Sequence, residues 1–328
     1  MSRSRFHYLK PDQPWCKQII RDSFKRYQKC IPAVSHFSKI GIISKPDDPA
    51  IANTVQSLFE FLRSQEVEIF AESVSTRFIN SESLNAYSLD DLASNCDLVI
   101  VVGGDGTILH AGHSLIQNEI PLVGINLGRL GFLAEITPEE IENQLAQILA
   151  GEYKDSRRSV LQASLIRDGQ PIAKCNAIND VVVHAKQMVR MIELESRVND
   201  QYVNTLRADG YIVATPTGST AYALSGGGPI LHPEIDAIAL VPICPHTLSN
   251  RPIVVDANSR IEILLSEQNR HTALASVDGQ IDMDFMPGDT ILIEKSKHVL
   301  HLVQPMNYDY FDVLRVKLRW STSPDISH

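Results

Sequence analysis

The chain has 328 residues, 44% of them hydrophobic and 21% charged, and a formal net charge of −9. That length suits about two domains of ordinary size, and the acidity argues against a generic nucleic-acid binder, which presents a basic surface. The five cysteines, Cys16, Cys30, Cys96, Cys175 and Cys244, are odd in number, widely spread and without a C-x-x-C pair. Neither a disulfide framework nor a structural zinc site is expected, and a reducing cytoplasm fits best. No apolar run approaches the ~20 residues of a membrane span, and no secretory segment is expected.

Residues 1–36 are basic and irregular, with Arg3, Arg5, Lys10, Lys17, Arg21, Lys25, Arg26 and Lys29 against Asp12 and Asp22. They read as a disordered or loosely docked extension, the alternative being a targeting segment. Strand-like and helix-like stretches then alternate through residues 37–150. Lys39–Ser44 reads as a buried strand, and Ile51, Val55, Leu58, Phe59 and Leu62 share one helix face. Glu66–Ala71 reads as a second strand. The continuous apolar run Asp97–Val102 predicts a parallel strand buried on both faces. A helix over about Ile108–Gln117, a strand over Pro121–Ile125 and a helix started by Thr137-Pro138-Glu139-Glu140, with a capping box, follow. Alternation of this kind predicts a parallel α/β sheet.

Across residues 151–305 the pattern becomes mostly strands: Val160–Arg167, Ile192–Val198, Tyr202–Leu206, Ile253–Val255, Arg260–Leu265, Ala273–Val277, Thr290–Glu294 and His298–Val303. Asn199-Asp200 and Arg167-Asp168-Gly169 fall where hairpin turns belong. An antiparallel β sandwich is expected, interrupted by a Gly/Ser/Thr-rich stretch at Thr215–Ile230. Within residues 306–328, Tyr310–Leu318 reads as a closing helix that packs back on the first domain. Asp282-Met283-Asp284 reads as a solvated stretch near a turn.

Three motifs carry chemistry. Gly103-Gly104-Asp105-Gly106-Thr107 follows a buried strand and opens a helix, so its glycines let main-chain N–H groups approach a ligand at a positive helix end. It is a phosphate cradle with a carboxylate in its middle, and neither a Walker A loop nor G-x-G-x-x-G. Asp105 could accept a proton from an acceptor hydroxyl, hold Mg²⁺, or do both in turn. Thr215-Pro216-Thr217-Gly218-Ser219-Thr220-Ala221-Tyr222, running on to Ser225-Gly226-Gly227-Gly228-Pro229, offers small and hydroxyl residues for close ligand approach and many hydrogen bonds. Asn179-Asp180 enters a strand and by itself reads as a turn. His110 and His113 lie at i, i+3, but no further ligand at suitable spacing supports a zinc site.

In the order GGDGT, NLGRLGF (Asn126–Phe132), Asn179-Asp180, TPTGSTAY and PHTLSNRPIV (Pro245–Val254), the chain resembles the NAD kinase family from about Lys39 to Trp320. GGDG alone also occurs in diacylglycerol and sphingosine kinases; the combination is specific. The resemblance implies a Rossmann-like α/β domain followed by a β-rich, β-sandwich domain. It implies transfer of a phosphoryl group from ATP to the 2′-hydroxyl of the adenosine ribose of NAD, with Mg²⁺ accompanying ATP and no metal site of the chain's own. Asp105 matches the general base, and Gly103, Gly104, Gly106 and Thr107 match the contacts to the ATP phosphates. Asp105, Gly106, His110, Asn179, Asp180, Thr220, Ala221, Tyr222, Ala223, Leu224 and Ser225 match positions lining the NAD site. Arg190, Arg207, Asp209 and Gln280 occupy further ligand-contact positions. The family assembles as homodimers or homotetramers that complete each NAD site from a neighbouring subunit, here through the segment Leu206–Gly210. A lipid kinase would leave TPTGSTAY and PHTLSNRPIV unexplained, and a non-catalytic NAD(P) sensor would leave Asp105 unexplained.

Overall fold

A computed structural model describes residues 37–45, 51–81, 84–128, 130–186, 191–247 and 249–320. The first buried run, Lys39–Ser44, is strand β1. It lies between two parallel neighbours, β2 (Glu68–Glu72) and β4 (Leu98–Val102). β5 (Leu122–Ile125) extends the sheet beyond β4, and β3 (Ala86–Tyr87) ends it beyond β2. All five residues of β4 are buried, as its unbroken apolar run requires, because helices cover both faces. On one face, helices α1 (Ile51–Ser64) and α4 (Ile141–Leu149) bury Val55, Leu58, Leu62 and Leu145 against Ile40, Ile42, Leu98 and Ile100. On the other, α2 (Leu89–Asn95) and α3 (Asp105–Leu115) bury Leu92, Ile108 and Leu115 against Ile43, Val99 and Val101. Thr137 and Glu140 form the expected capping box, with a 3₁₀ turn at Pro138–Glu140 before α4. A second capping box, Ser88 with Asp91, starts α2.

The remaining strands are β6 (Tyr153–Arg167), β7 (Gln170–Ala177), β8 (Asp180–Ala185), β9 (Ile192–Val198), β10 (Gln201–Ala208), β11 (Gly210–Ala214), β12 (Ala237–Ile243), β13 (Ile253–Asp256), β14 (Ile261–Leu265), β15 (Ala273–Val277), β16 (Ile281–Phe285) and β17 (Thr290–Pro305). Six of them form one antiparallel sheet in the order β13-β12-β11-β8-β15-β16. It faces β6, β7, β9, β10, β14 and β17 across a core that includes Leu161, Val183, Leu194, Leu240, Ile263, Phe285 and Ile293. This is the expected sandwich. Asn199 and Asp200 (φ 51° and 63°) and Asp168 and Gly169 (φ 51° and 72°) make its two-residue hairpin turns with positive φ at both positions.

The two short strands expected at Thr290–Glu294 and His298–Val303 are one strand, β17, with a register shift between Lys295 and Val299. The intervening polar residues break the alternation without ending the strand, as a bulge does. Ile291 and Ile293 face the sandwich core, and Leu300 and Leu302 face the α/β core. Leu302 pairs in parallel with Leu122 of β5, so a single 11-stranded sheet runs through both halves. Asp282-Met283-Asp284 is not a solvated turn stretch: it lies in β16, where Met283 is buried and both aspartates are exposed. Between β11 and β12, a 3₁₀ turn at Gly218–Thr220 and a short helix α5 (Tyr222–Ser225) occupy the glycine-rich interruption. The last helix, α6 (Tyr310–Leu318), is capped by Asp309, which accepts from the N–H groups of Phe311 and Asp312. The Tyr310 hydroxyl reaches the Leu231 carbonyl at 3.3 Å, and Lys317 Nζ stands 5.4 Å from the Phe132 ring centre.

Candidate active site

β4 delivers the glycine-rich turn to the edge of a cavity of about 560 Å³, lined among others by Lys45, Glu72, Gly104, Gly106, Thr107 and His110. Gly103 is required by the turn itself, since a Cβ there would lie 2.4 Å from Thr107 Oγ1. Gly104 and Gly106 are different. A Cβ at either position meets nothing within 4 Å, and neither has a positive φ. Packing within the chain therefore does not demand glycine there, and the missing side chains leave main chain open to a ligand. Gly104 is the N-cap of α3 and offers no side-chain cap. The Thr107 N–H already bonds the Gly104 carbonyl at 2.9 Å, so the anion cradle falls to the N–H groups that precede it at the start of α3.

Asp105 points inward, toward the loop that follows β5. Its carboxylate accepts from the main-chain N–H groups of Phe132 (2.9 Å), Leu133 (2.9 Å) and Ala134 (3.3 Å). A carboxylate offers about four lone-pair positions, so one remains for a substrate proton. Among the described residues, the hydrogen bonds that orient the group all come from the main chain of this loop.

A second cavity of about 280 Å³ is lined by Asn179, Asp180, His184, Ala221, Tyr222 and Asp278, with Val182, Ser276 and Gly279. Asp278 organises it. Held at φ 51° after β15, it accepts from the N–H groups of Ile178 (2.8 Å), Asn179 (2.7 Å) and Asp180 (2.9 Å). Its carboxylate also lies 2.9 Å from His113 Nε2 on α3. Two residues on, Gln280 Nε2 donates to the Gly106 carbonyl at 3.3 Å. One hairpin thereby fixes both the Asn179-Asp180 step and the glycine turn, and sets the two cavities side by side. Burial, and after it the nearby charge of Asp278, pushes the Asp180 carboxyl up to about 7.

The hydroxyl-rich segment works mainly as scaffold, which corrects the expectation that it offers many hydrogen bonds to a ligand. Thr215 Oγ1 donates to Ile178 O (2.7 Å) and accepts from Gly218 N (3.0 Å). Ser219 Oγ bonds Pro216 O and Leu231 N, and Thr220 Oγ1 bonds Thr217 O. A Cβ on Gly218 would lie 2.0 Å from Asn179 O, so the turn grips the Asn179 main chain directly. Of the α5 stretch, Tyr222 and Ser225 are exposed, Leu224 is half-buried, and the Ala223 side chain sits in the core with Val182, Ile212 and Val241.

The fold thus gathers Gly104, Gly106, Thr107 and His110 at one cavity and Asn179, Asp180, Ala221 and Tyr222 at the other, with Gln280 bridging them. Arg207 and Asp209 are exposed and line neither cavity. Arg190 lies outside the described residues. Sequence reasoning passed over Asp278, His113 as its partner, and Gly131. The last lies in the quoted NLGRLGF motif, whose second glycine was the available signal.

Residues 40–153 match the model of the ATP-NAD kinase N-terminal domain, and residues 178–305 that of the ATP-NAD kinase C-terminal domain. These matches define a phosphotransferase whose two halves are the ones seen here. The NAD kinase of Nitrosococcus oceani is 44% identical over 284 residues, 87% of this chain and 97% of its own. That of Saccharophagus degradans is 43% identical over 289 residues, 88% of this chain and 98% of its own. The crystal structure of yeast NADH kinase complexed with NADH superimposes with a TM-score of 0.81 at 26% identity, over 90% of this chain and 91% of that one. An NAD kinase from Archaeoglobus fulgidus in complex with ATP gives 0.67 at 32% identity, over 86% and 98%. The chain belongs to the NAD kinase family.

Proposed function

We propose that this protein phosphorylates NAD at the 2′-hydroxyl of its adenosine ribose, with ATP as donor and NADP as product. The observation that carries the reading is the adjacency of the two cavities: a bare-glycine helix start bridged through Gln280 and Gly106 to the Asn179-Asp180 pocket. The N–H groups at the start of α3, with Gly103, Gly104, Gly106 and Thr107, hold the ATP phosphates. Asn179, Asp180 and the Thr220–Ser225 segment receive NAD, with His110, Arg190 and Gln280 as further contacts. Asp105, oriented by Phe132, Leu133 and Ala134, takes the proton from the 2′-hydroxyl as the oxygen attacks the γ-phosphorus, whose bond to the β–γ bridging oxygen breaks to release ADP.

Among the described residues no cluster of three His, Cys, Asp or Glu is placed to hold a metal. Magnesium is commonly bound by substrate phosphates and waters with one or two carboxylates. Mg²⁺ bound with ATP neutralises phosphate charge during transfer. The working enzyme is a homodimer or homotetramer in which the exposed Arg207 and Asp209 serve a neighbour's NAD site. No helix among the described residues is long and apolar enough to cross a membrane. Cys96, Cys175 and Cys244 are free thiols, which suits a reducing cytoplasm. The test is incubation of purified protein with ATP, Mg²⁺ and NAD. NADP must form, and its absence with every donor and acceptor tried would refute the reading.

A further inference from the structure

Helix α3 opens with Asp105 and packs on the sheet through Ile108, Leu109, Ala111 and Leu115. Apolar packing of that kind is non-directional. It keeps the helix in its layer without fixing where the helix stands relative to the sandwich half. Two polar contacts supply that constraint, and both come from the turn between β15 and β16. At the first turn of α3 the Gly106 carbonyl accepts from Gln280 Nε2 at 3.3 Å. At the last turn His113 Nε2 lies 2.9 Å from Asp278 Oδ2. Helix and pocket also meet closely there, since a Cβ on Gly112 would lie 2.7 Å from Ile178 Cδ1.

The Asp278 side chain is fully buried, and that of His113 is 15% exposed. The main-chain donors to Asp278, the N–H groups of Ile178, Asn179 and Asp180, all belong to the turn that forms the second cavity. His113 comes instead from the other half of the chain. The contact is close without the alignment of a hydrogen bond. Two lone pairs at that distance repel, so Nε2 carries a proton, and the attraction is that of N–H for a carboxylate. A buried carboxylate holds its partners firmly, because leaving its charge unmet is costly. Asp278 therefore joins the last turn of α3 to the Ile178–Asp180 main chain. Anchored only at its first turn, the helix could swing about that point; anchored at both ends, it cannot.

We propose that His113 is a positioning residue for the phosphoryl transfer, an inference that rests on the kinase reading of the two cavities. It lines neither cavity. Through Asp278 it sets α3, and with it Asp105 and the phosphate cradle, at the separation from the Asn179-Asp180 pocket that the transfer needs. ATP is held on the α3 side of this joint and NAD mainly on the other. Loss of the joint leaves both binding surfaces intact and spoils their mutual placement, which is read in kcat rather than in KM.

The amide nitrogen of glutamine stands as many bonds from Cβ as Nε2 of histidine, whereas that of asparagine matches Nδ1 and stops short of Asp278. His113→Gln is expected to keep kcat within about twofold of wild type, and His113→Asn to lower it by about tenfold, with KM for ATP and for NAD within about twofold in both. His113→Leu, which fills the volume without a donor, is expected to match His113→Asn and replaces it should that variant not fold. A second measurement needs no turnover. Crystal structures of wild type and His113→Asn, superposed on β8, β11 and β15, are expected to differ by about 0.5 Å or more at Asp105. Equal kcat in the Gln and Asn variants overturns the proposal, as does a rise in KM for NAD at unchanged kcat, or α3 in the same place in both crystals. Failure of the wild type to form NADP counts against the kinase reading, and the crystal comparison then still decides whether His113 places α3.

Discussion

A Cβ atom on Gly131 would lie 2.2 Å from Asp105 Oδ1. The glycine is what lets the Phe132–Ala134 amides close around the carboxylate. Gly131→Ala must therefore push the carboxylate or the loop aside. Misplacement of about 1 Å in a reacting group commonly costs about 100-fold in rate, and a loss in kcat of that order is expected, with circular dichroism unchanged. Wild-type turnover in this variant would show that the loop does not set the position of Asp105.

Asp105→Asn is a harsher substitution than its shape suggests. All three loop groups that face the carboxylate are N–H donors, so the amide nitrogen of an asparagine must confront at least one of them. Loss of the basic oxygen is expected to lower kcat by about 100-fold or more. The confronted donor is expected to cost a further 1–3 kcal/mol of stability, roughly the cost of an unmade buried hydrogen bond. Steady-state kinetics and denaturant melts measure the two effects separately. Near-normal turnover in a folded variant would remove the general-base role.

These two variants bear on what could be read before the fold was known. Elements with strong periodicity were legible: β1, the α1 face, β9, β15, α6 and the Thr137 capping box lie where the pattern put them. β3 and β12 also went unread, and two of the missed strands have physical reasons. β7 carries Gln170, Pro171, Lys174 and Asn176 on a largely exposed edge, and β16 alternates aspartates with buried residues so tightly that it resembles a turn. The glycine loop was legible because its chemistry is local. Asp278 was not, since its role depends on amides 98 to 100 residues away and on a helix from the other half of the chain. Gly131 is intermediate. It sat in a quoted motif, but only the fold shows what its missing side chain makes room for.

The raised pKa of Asp180 has a consequence for stability. The folded chain keeps that proton up to about pH 7, whereas an ordinary aspartate releases it near 3.8. Across that window the unfolded chain binds fewer protons, so this group's contribution falls as pH rises from about 4 to 7 and is level above it. Asp180→Asn removes the effect. Its stability relative to wild type is expected to improve by about 2–3 kcal/mol between pH 5 and pH 8, while affinity for NAD drops. Urea unfolding at the two pH values is the measurement, and a gap that does not change with pH would contradict the assignment of the shift to Asp180.

The family match begins at residue 40, and two of the relatives align with 87% and 89% of the chain. Removal of residues 1–36 is expected to leave kcat and KM within about twofold of the full chain. An insoluble or inactive truncation would give the extension a part in folding or catalysis.

The last prediction concerns the proposed shared site. Asp209 sits at the junction of β10 and β11, exposed, with its main-chain N–H bonded to Ile243 and its carbonyl to Ala185. The next residue, Gly210, pairs with His184, which lines the Asn179-Asp180 cavity. Asp209 is thus held rigidly beside that cavity but outside it, a position suited to a ligand bound mainly to another copy. If it acts across an interface, each site needs Asp105 from one chain and Asp209 from the other. Asp105→Asn and Asp209→Ala homo-oligomers are then both impaired. Subunit exchange between them creates hybrids in which one site carries both substitutions and the other carries neither. For dimers mixed in equal amounts, about a quarter of all sites are intact, and recovery to about that fraction of wild-type activity is expected. Size-exclusion chromatography establishes the oligomer, and a tagged pull-down establishes exchange. Full activity in a monomer, or confirmed exchange without recovery, would place Asp209 outside the catalytic unit and leave it as the turn residue its neighbour glycine suggests.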